Sequence, residues 1–181
     1  MSTATAIAIP TGTYSIDPSH STVEFAVRHM GIATVRGKAT EFEGTINATS
    51  DTPAIEGSVQ VASITTQNEQ RDEHLASPDF FDVQRFPQIN FRSNGIEIAD
   101  DGSVRIPGEI TIKGVTKEIE LTGSFAGAGT DPWGNERIGL DVSGAVDRRD
   151  FDLTWNQPLA GGGLLVSNEV KLELSASAVK A

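Results

Sequence analysis

Apolar and polar residues alternate with a period of two along most of this chain. Val23, Phe25 and Val27 alternate with Thr22, Glu24 and Ala26; Ile119, Leu121, Gly123 and Phe125 alternate with Glu118, Glu120, Thr122 and Ser124. The same rhythm runs through Ile138, Leu140, Val142, Gly144 and Val146, and again through Val170, Leu172, Leu174, Ala176 and Ala178. Successive side chains of a strand point to opposite faces, so each run predicts a strand with one dry and one wet face. Further strands are predicted at about 34–47, 55–65, 88–99 and 104–112, with Asp100-Asp101-Gly102 as a hairpin turn. Between Ala39 and Phe42 the apolar phase slips from odd to even positions, which predicts a bulge that bends the strand. Residues 127–132 and 158–163, the latter with Gly161-Gly162-Gly163, read as loops.

One region breaks the rhythm. Thr66 and Glu69 have capping-box spacing and predict a short helix through Leu75. Ser77-Pro78-Asp79 then reads as an N-cap, a proline at the first helical position and an early acid, starting a second helical turn at Phe80-Phe81. The predicted architecture is all-β: an eight-stranded antiparallel up-and-down barrel with a short helical insert at about 67–83. Closure removes exposed strand edges, and eight strands leave room for one small ligand. A two-sheet sandwich is the alternative, and whether Thr13–Ile16 joins the barrel is open at this level. The chain reads as one domain over 12–181, preceded by a flexible N-terminus at 1–11.

Composition narrows the chemistry. The 181 residues carry a net charge of −11, with 14 scattered basic residues, which argues against a nucleic-acid or anionic-membrane binder. There is no cysteine, so thiolate chemistry and iron–sulfur clusters are excluded. Residues 1–12 lack a basic n-region and a long apolar core, so no signal peptide is read and a cytoplasmic location is expected. No stretch approaches the ~20 apolar residues of a membrane-spanning helix.

Half of the eight phenylalanines, Phe80, Phe81, Phe86 and Phe91, fall in or just after the insert. Aromatics concentrated on a non-strand segment of a β-protein suit a plug or lid over an apolar interior, and so a container for a hydrophobic ligand. Phe125, Phe151 and Trp155 are further candidate tunnel residues. The inward row Phe25, Val27 and His29 ends on an imidazole, which could meet a ligand headgroup or be held structurally by the backbone or Asp72. Arg71, Asp72 and His74 could clamp a headgroup or fasten the insert to the rim. Of Arg148 and Arg149, parity with Val142 and Val146 points Arg148 inward. The three histidines lack i,i+2 or i,i+4 spacing, there is no G-x-S-x-G, and Gly161-Gly162-Gly163 leads into no Lys-Ser/Thr, so neither a metal site nor a catalytic set is assigned.

Several motifs in order resemble one family. They are Tyr14-Ser15-Ile16-Asp17-Pro18-Ser19-His20-Ser21, Val23-x-Phe25-x-Val27-Arg28-His29-Met30-Gly31 and Arg71-Asp72-x-His74-Leu75. Asp79-Phe80-Phe81-Asp82, Phe86-Pro87-x-Ile89-x-Phe91, Gly108-x-Ile110-Thr111-Ile112-Lys113-Gly114-Val115-Thr116-Lys117 and Arg148-Arg149-Asp150-Phe151 follow. The chain is similar, over about residues 12–179, to the YceI-like family of lipocalin-like, polyisoprenoid-binding proteins. The resemblance implies non-enzymatic binding, storage or transport of a long-chain isoprenoid lipid, either a polyprenyl phosphate or an isoprenoid quinone, with no other cofactor. It is compatible with a homodimer. Two departures stand out: the family is often exported, and its last motif often has glycine where Asp152 follows Phe151. The competing readings are a small-substrate isomerase or hydrolase using Asp72 with His29 or His74, and a ligand-free structural barrel.

Overall fold

The computed structural model describes residues 7–181. Twelve strands form one sheet: β1 (Gly12–Ile16), β2 (Thr22–His29), β3 (Ala33–Ala39), β4 (Phe42–Ala48), β5 (Ala54–Gln60), β6 (Ile64–Thr65), β7 (Gln88–Ser93), β8 (Glu97–Ile98), β9 (Ser103–Ile112), β10 (Val115–Thr130), β11 (Glu136–Asp147) and β12 (Val166–Lys180). One helix, α1 (Glu69–Ala76), interrupts them. The ladder runs β1-β4-β5-β7-β9-β10-β11-β12 and returns from β12 to β1, so the sheet closes on itself. All of these pairings are antiparallel.

Three pairs of short strands are single bent walls. β1 and β2 bend at the 3-10 turn Pro18–His20, β3 and β4 at Thr40 and Glu41, and β5 and β6 at Val61–Ser63. The bends lie side by side because β1 pairs with β4, β2 with β3, and β3 with β6. Serines satisfy the backbone there: Ser177 N–H donates to Ser21 Oγ at 2.9 Å, and Glu41 N–H to Ser63 Oγ at 2.9 Å. With each bent pair counted once and the two-residue β8, which pairs only with β9 off the closed ladder, set aside, eight walls follow chain order. This is the predicted up-and-down barrel, and the slip between Ala39 and Phe42 marks one of its bends. β1 does join it, pairing Tyr14–Ile16 with β12 on one side and Gly12–Ser15 with β4 on the other.

The barrel is filled at one end and hollow toward the other. At the filled end Tyr14, Ile46, Ile106 and Leu140 are fully buried, and the Tyr14 hydroxyl donates to the Pro10 carbonyl at 2.8 Å. Burying side chains of this size contributes about 1.5–3 kcal/mol each. The flexible tail expected over 1–11 lies partly outside the described residues; within 7–11, Ile9 is buried in this core. Arg137 latches the same end, 2.9 Å from both Asp17 and Asp131. Hydrogen bonds from Ser19, Arg137 and His20 hold the Asp17 carboxyl well below the usual range.

The helical insert is shorter than the sequence predicts. Asn68, not Thr66, caps α1 by accepting from Arg71 N–H at 2.9 Å, while the Thr66 hydroxyl donates to Asp72 Oδ1 at 2.6 Å. The second helical turn at Phe80-Phe81 does not form. Ser77 is the C-cap of α1, its hydroxyl donating to the His74 carbonyl, and the chain leaves in hydrogen-bonded turns through Phe86.

Candidate functional site

The inward rows of the strands meet in an apolar cavity of about 170 Å³ in the barrel interior. Phe25 and Phe91 line it, with aliphatic side chains that include Val23, Ile64, Ile89, Ile119, Leu172 and Leu174. Most of these aliphatics went unassigned to a site at the sequence level, although the parity that predicts the strands also aims them inward. Gly37 makes room for the Phe25 ring, which occupies the space a side chain there would need.

A second cavity of about 450 Å³ opens between the β2–β3 hairpin, α1 and the segment before β12. Phe25 also lines this mouth, so its ring is the wall common to both spaces. Val27 and His29 continue the row toward the opening, as strand parity requires. The far wall is an aromatic set. His74 meets Phe80 edge-on at 5.0 Å between ring centroids and Trp155 at 4.7 Å, and its Nε2 lies 3.0 Å from Asp79 Oδ2. Arg71 stands at the rim, its Nε donating to Thr66 Oγ1 at 2.7 Å and its Nη2 to the Thr66 carbonyl. Arg28, which carried no assignment in the sequence reading, lines the same mouth. Among the described residues, the charged side chains lining this opening are these two arginines and no carboxylate. That is notable in a chain with 25 acids.

The other candidates are placed elsewhere. Asp72 faces a separate groove behind α1, together with Phe81. Its carboxylate accepts from the Thr65 hydroxyl and from both the N–H and hydroxyl of Thr66. It therefore fastens the insert to the end of β6, and neither His29 nor His74 bonds to it. Phe86 packs over Gly114 beneath the Arg85 guanidinium. Phe125 belongs to the filled end of the barrel, and Phe151 is buried in its core. Arg148 is buried, but its donors go to carbonyls: Nε to Ser167, Nη1 to Leu153 and Trp155, and Nη2 to Val166. Arg149 points outward, paired with Asp147 at 2.6 Å, which lowers the Asp147 pKa to about 2. β11 ends at Asp147 and the pair opens the 3-10 turn Arg148–Phe151, so strand parity does not extend to it; Arg148 is the inner member, but its head is enclosed by the mouth-side loop instead of facing the cavity. Asp152 adopts the left-handed conformation, φ 59°, that the glycine of the related motif would occupy; aspartate is among the side chains that tolerate it. Among the described residues no three His, Cys, Asp or Glu side chains cluster as metal ligands.

Burial raises the Asp72 pKa, but the bonds from Thr66 and Thr65 and the nearby Arg71 charge outweigh it, so the net shift is downward. A carboxyl depressed in the folded state stabilises above its unfolded value, about 4, and that contribution is lost as pH falls through the folded value. Asp72→Ala is expected to cost about 1–3 kcal/mol by stranding the two threonines, and to raise amide exchange in α1 at neutral pH. Acidifying the wild type is expected to lower the α1 protection factors, taken relative to the intrinsic exchange rate at each pH, in the same way, and the protection factors of Asp72→Ala to stay unchanged.

A closed, sequential eight-stranded antiparallel barrel with one helical insert is a lipocalin-like barrel. The chain belongs to the YceI-like domain family, whose sequence profile matches residues 14–178. It is 33% identical over 168 residues to UPF0312 protein SA2479 of Staphylococcus aureus, covering 90% of this chain and 95% of that protein. Its fold matches that of Burkholderia cenocepacia BcnA with a TM-score of 0.75 at 19% identity, over 90% of this chain and 98% of the other. It also matches a polyisoprenoid binding domain from Saccharophagus degradans, with a TM-score of 0.66 at 13% identity, over 93% and 98% of the two chains.

Proposed function

We propose that this protein binds a long-chain isoprenoid lipid, a polyprenyl phosphate or an isoprenoid quinone, and stores or carries it without chemical change. The observation that carries this reading is the hollow half of the barrel. Its apolar interior shares the Phe25 wall with a mouth whose charged lining is Arg28 and Arg71. The hydrocarbon would lie along the inward rows, at about 25 cal/mol for each Å² of apolar surface removed from water. The headgroup would stay at the opening, where an arginine fork suits phosphate oxygens and a single N–H suits a quinone carbonyl. The S. degradans domain, which shares the fold, is a polyisoprenoid binder. The separation of Asp72 from both histidines also supports binding over acid–base chemistry, because the pair that would exchange a proton does not meet.

The test is native mass spectrometry of protein purified without detergent, followed by organic extraction and lipid identification. A stoichiometric isoprenoid is the expected result. Protein that arrives empty and refuses added polyprenyl phosphates and quinones would overturn the proposal.

A further inference from the structure

Among the described residues five large hydrophobic side chains are exposed, and three of them, Met30, Ile32 and Leu164, sit on two adjacent loops beside the mouth. Scattered single apolar residues are ordinary on protein surfaces; a group at one opening is not. Ile32 is 77% exposed, Leu164 48% and Met30 45%. The loops are joined, since Met30 N–H donates to the Leu165 carbonyl at 2.8 Å and His29 pairs with Val166.

The hairpin tip departs from local preference in a telling way. Met30 and Gly31 have φ of 55° and 71°, and Ile32 N–H donates to the His29 carbonyl, a tight turn within the three-residue loop between the paired His29 and Ala33, and one whose two central residues with positive φ are usually asparagine–glycine. Here an apolar side chain occupies the strained position and projects into water, and such outliers concentrate at functional surfaces. Basic residues follow the same edge, although the chain as a whole carries the net charge of −11 that argues against anionic-membrane binding elsewhere on its surface. The Arg28 guanidinium is fixed at the tip by the Gly31 carbonyl and Thr34 Oγ1. Arg36 and Lys171 flank Ala26 on the outer face just behind it, Arg36 lying 3.7 Å from Glu173. The α1 acids Glu69 and Glu73 border the separate groove of Asp72.

We propose that this rim docks the mouth of the barrel onto an anionic lipid bilayer, with Met30, Ile32 and Leu164 entering the headgroup layer and Arg28 meeting lipid phosphates. The proposal rests on the reading of the barrel as an isoprenoid binder, whose ligand would otherwise cross water to reach the mouth. Protruding turn tips with apolar ends and an adjacent cation suit a soft interface of this kind.

The experiment is co-sedimentation with vesicles of phosphatidylcholine, with and without phosphatidylglycerol, alongside uptake of detergent-dispersed polyprenyl phosphate. The wild type is expected to sediment with the anionic vesicles and weakly with the neutral ones. Met30→Asn/Ile32→Ser/Leu164→Ser is expected to lose at least ~10-fold in vesicle partition, with uptake of the dispersed lipid unchanged. Asparagine suits the left-handed position, so the variant retains the hairpin. Equal partition of variant and wild type, or no association of the wild type with either vesicle, would overturn the docking proposal. So would a wild-type dimer that the variant breaks, which would assign the rim to a second copy of the chain. Vesicle association without uptake of dispersed lipid would support the docking and overturn the isoprenoid reading.

Discussion

Arg148→Met is expected to lower the unfolding free energy by about 3 kcal/mol and to loosen the segment from Leu153 to Val166. The guanidinium is a permanent charge, 4% exposed, with no carboxylate among its hydrogen-bond partners. Burial pushes its pKa below the usual arginine value, but an arginine remains charged under ordinary conditions. Carbonyl oxygens take the place of water: Leu153 at 2.6 Å, Trp155 and Ser167 at 2.9 Å, Val166 at 3.4 Å. A planar fork can reach acceptors in different directions at once, whereas a methionine of similar length donates to none of them, although the Val166 carbonyl keeps the Asn156 Nδ2 donor at 2.7 Å. The effect reaches the mouth because Trp155 and Val166 are part of its wall. Arg148→Lys should recover part of the stability, since one ammonium cannot span four acceptors. Arg149→Met, which removes an exposed partner of Asp147, should change little. Chemical denaturation gives the first quantity and hydrogen exchange over 153–166 the second. If Arg148→Met unfolds like the wild type, the carbonyl cage is not what holds this loop.

These contacts mark how far the residues alone could be read. The period-two rows of β2, β10, β11 and β12 were legible because one wet face and one dry face leave a direct trace in the sequence. The bend at Ala39–Phe42 was legible for the same reason, as a change of phase. Closure by Thr13–Ile16 was not, because a five-residue strand has too few alternations to show which edges it joins. The helix start was misplaced by two residues: Thr66 and Glu69 satisfy the capping spacing, but the Thr66 hydroxyl is engaged by Asp72, leaving Asn68 to cap. In the candidate site, parity correctly aimed Phe25, Val27 and His29 at one opening, and Arg71, Phe80 and Trp155 join them there. It could not separate those from Phe125, which is also inward but lies where the barrel is filled, and it does not reach Phe151, which is buried in the 3-10 turn Arg148–Phe151 that follows β11. Parity specifies a face. Whether that face meets packed atoms or a void depends on side-chain volumes contributed by all eight walls.

That void is what Leu174→Trp tests. Leu174 sits in the middle of β12, between Val23 of β2 and Val142 of β11, and lines the interior cavity. An indole at this position would extend into the 170 Å³ that the wild type leaves open. If the hydrocarbon of an isoprenoid lies in the barrel, the ring would deny it contact with the walls. Excluding it from roughly 110 Å² of apolar surface removes about 2.7 kcal/mol, close to a 100-fold loss of affinity. Because the added atoms enter a hollow, the unfolding free energy should change by less than ~1.5 kcal/mol, well short of the cost of overpacking a filled core. Titration with isoprenoids of increasing length separates the contributions. The wild type should gain affinity with each added unit until the interior is full, and Leu174→Trp should lose that gain at the point where the chain reaches β12. Arg71→Ala is expected to weaken all lengths by the same factor, since its guanidinium would meet the headgroup and not the hydrocarbon. Full affinity in Leu174→Trp, with stability intact, would place the hydrocarbon outside the barrel.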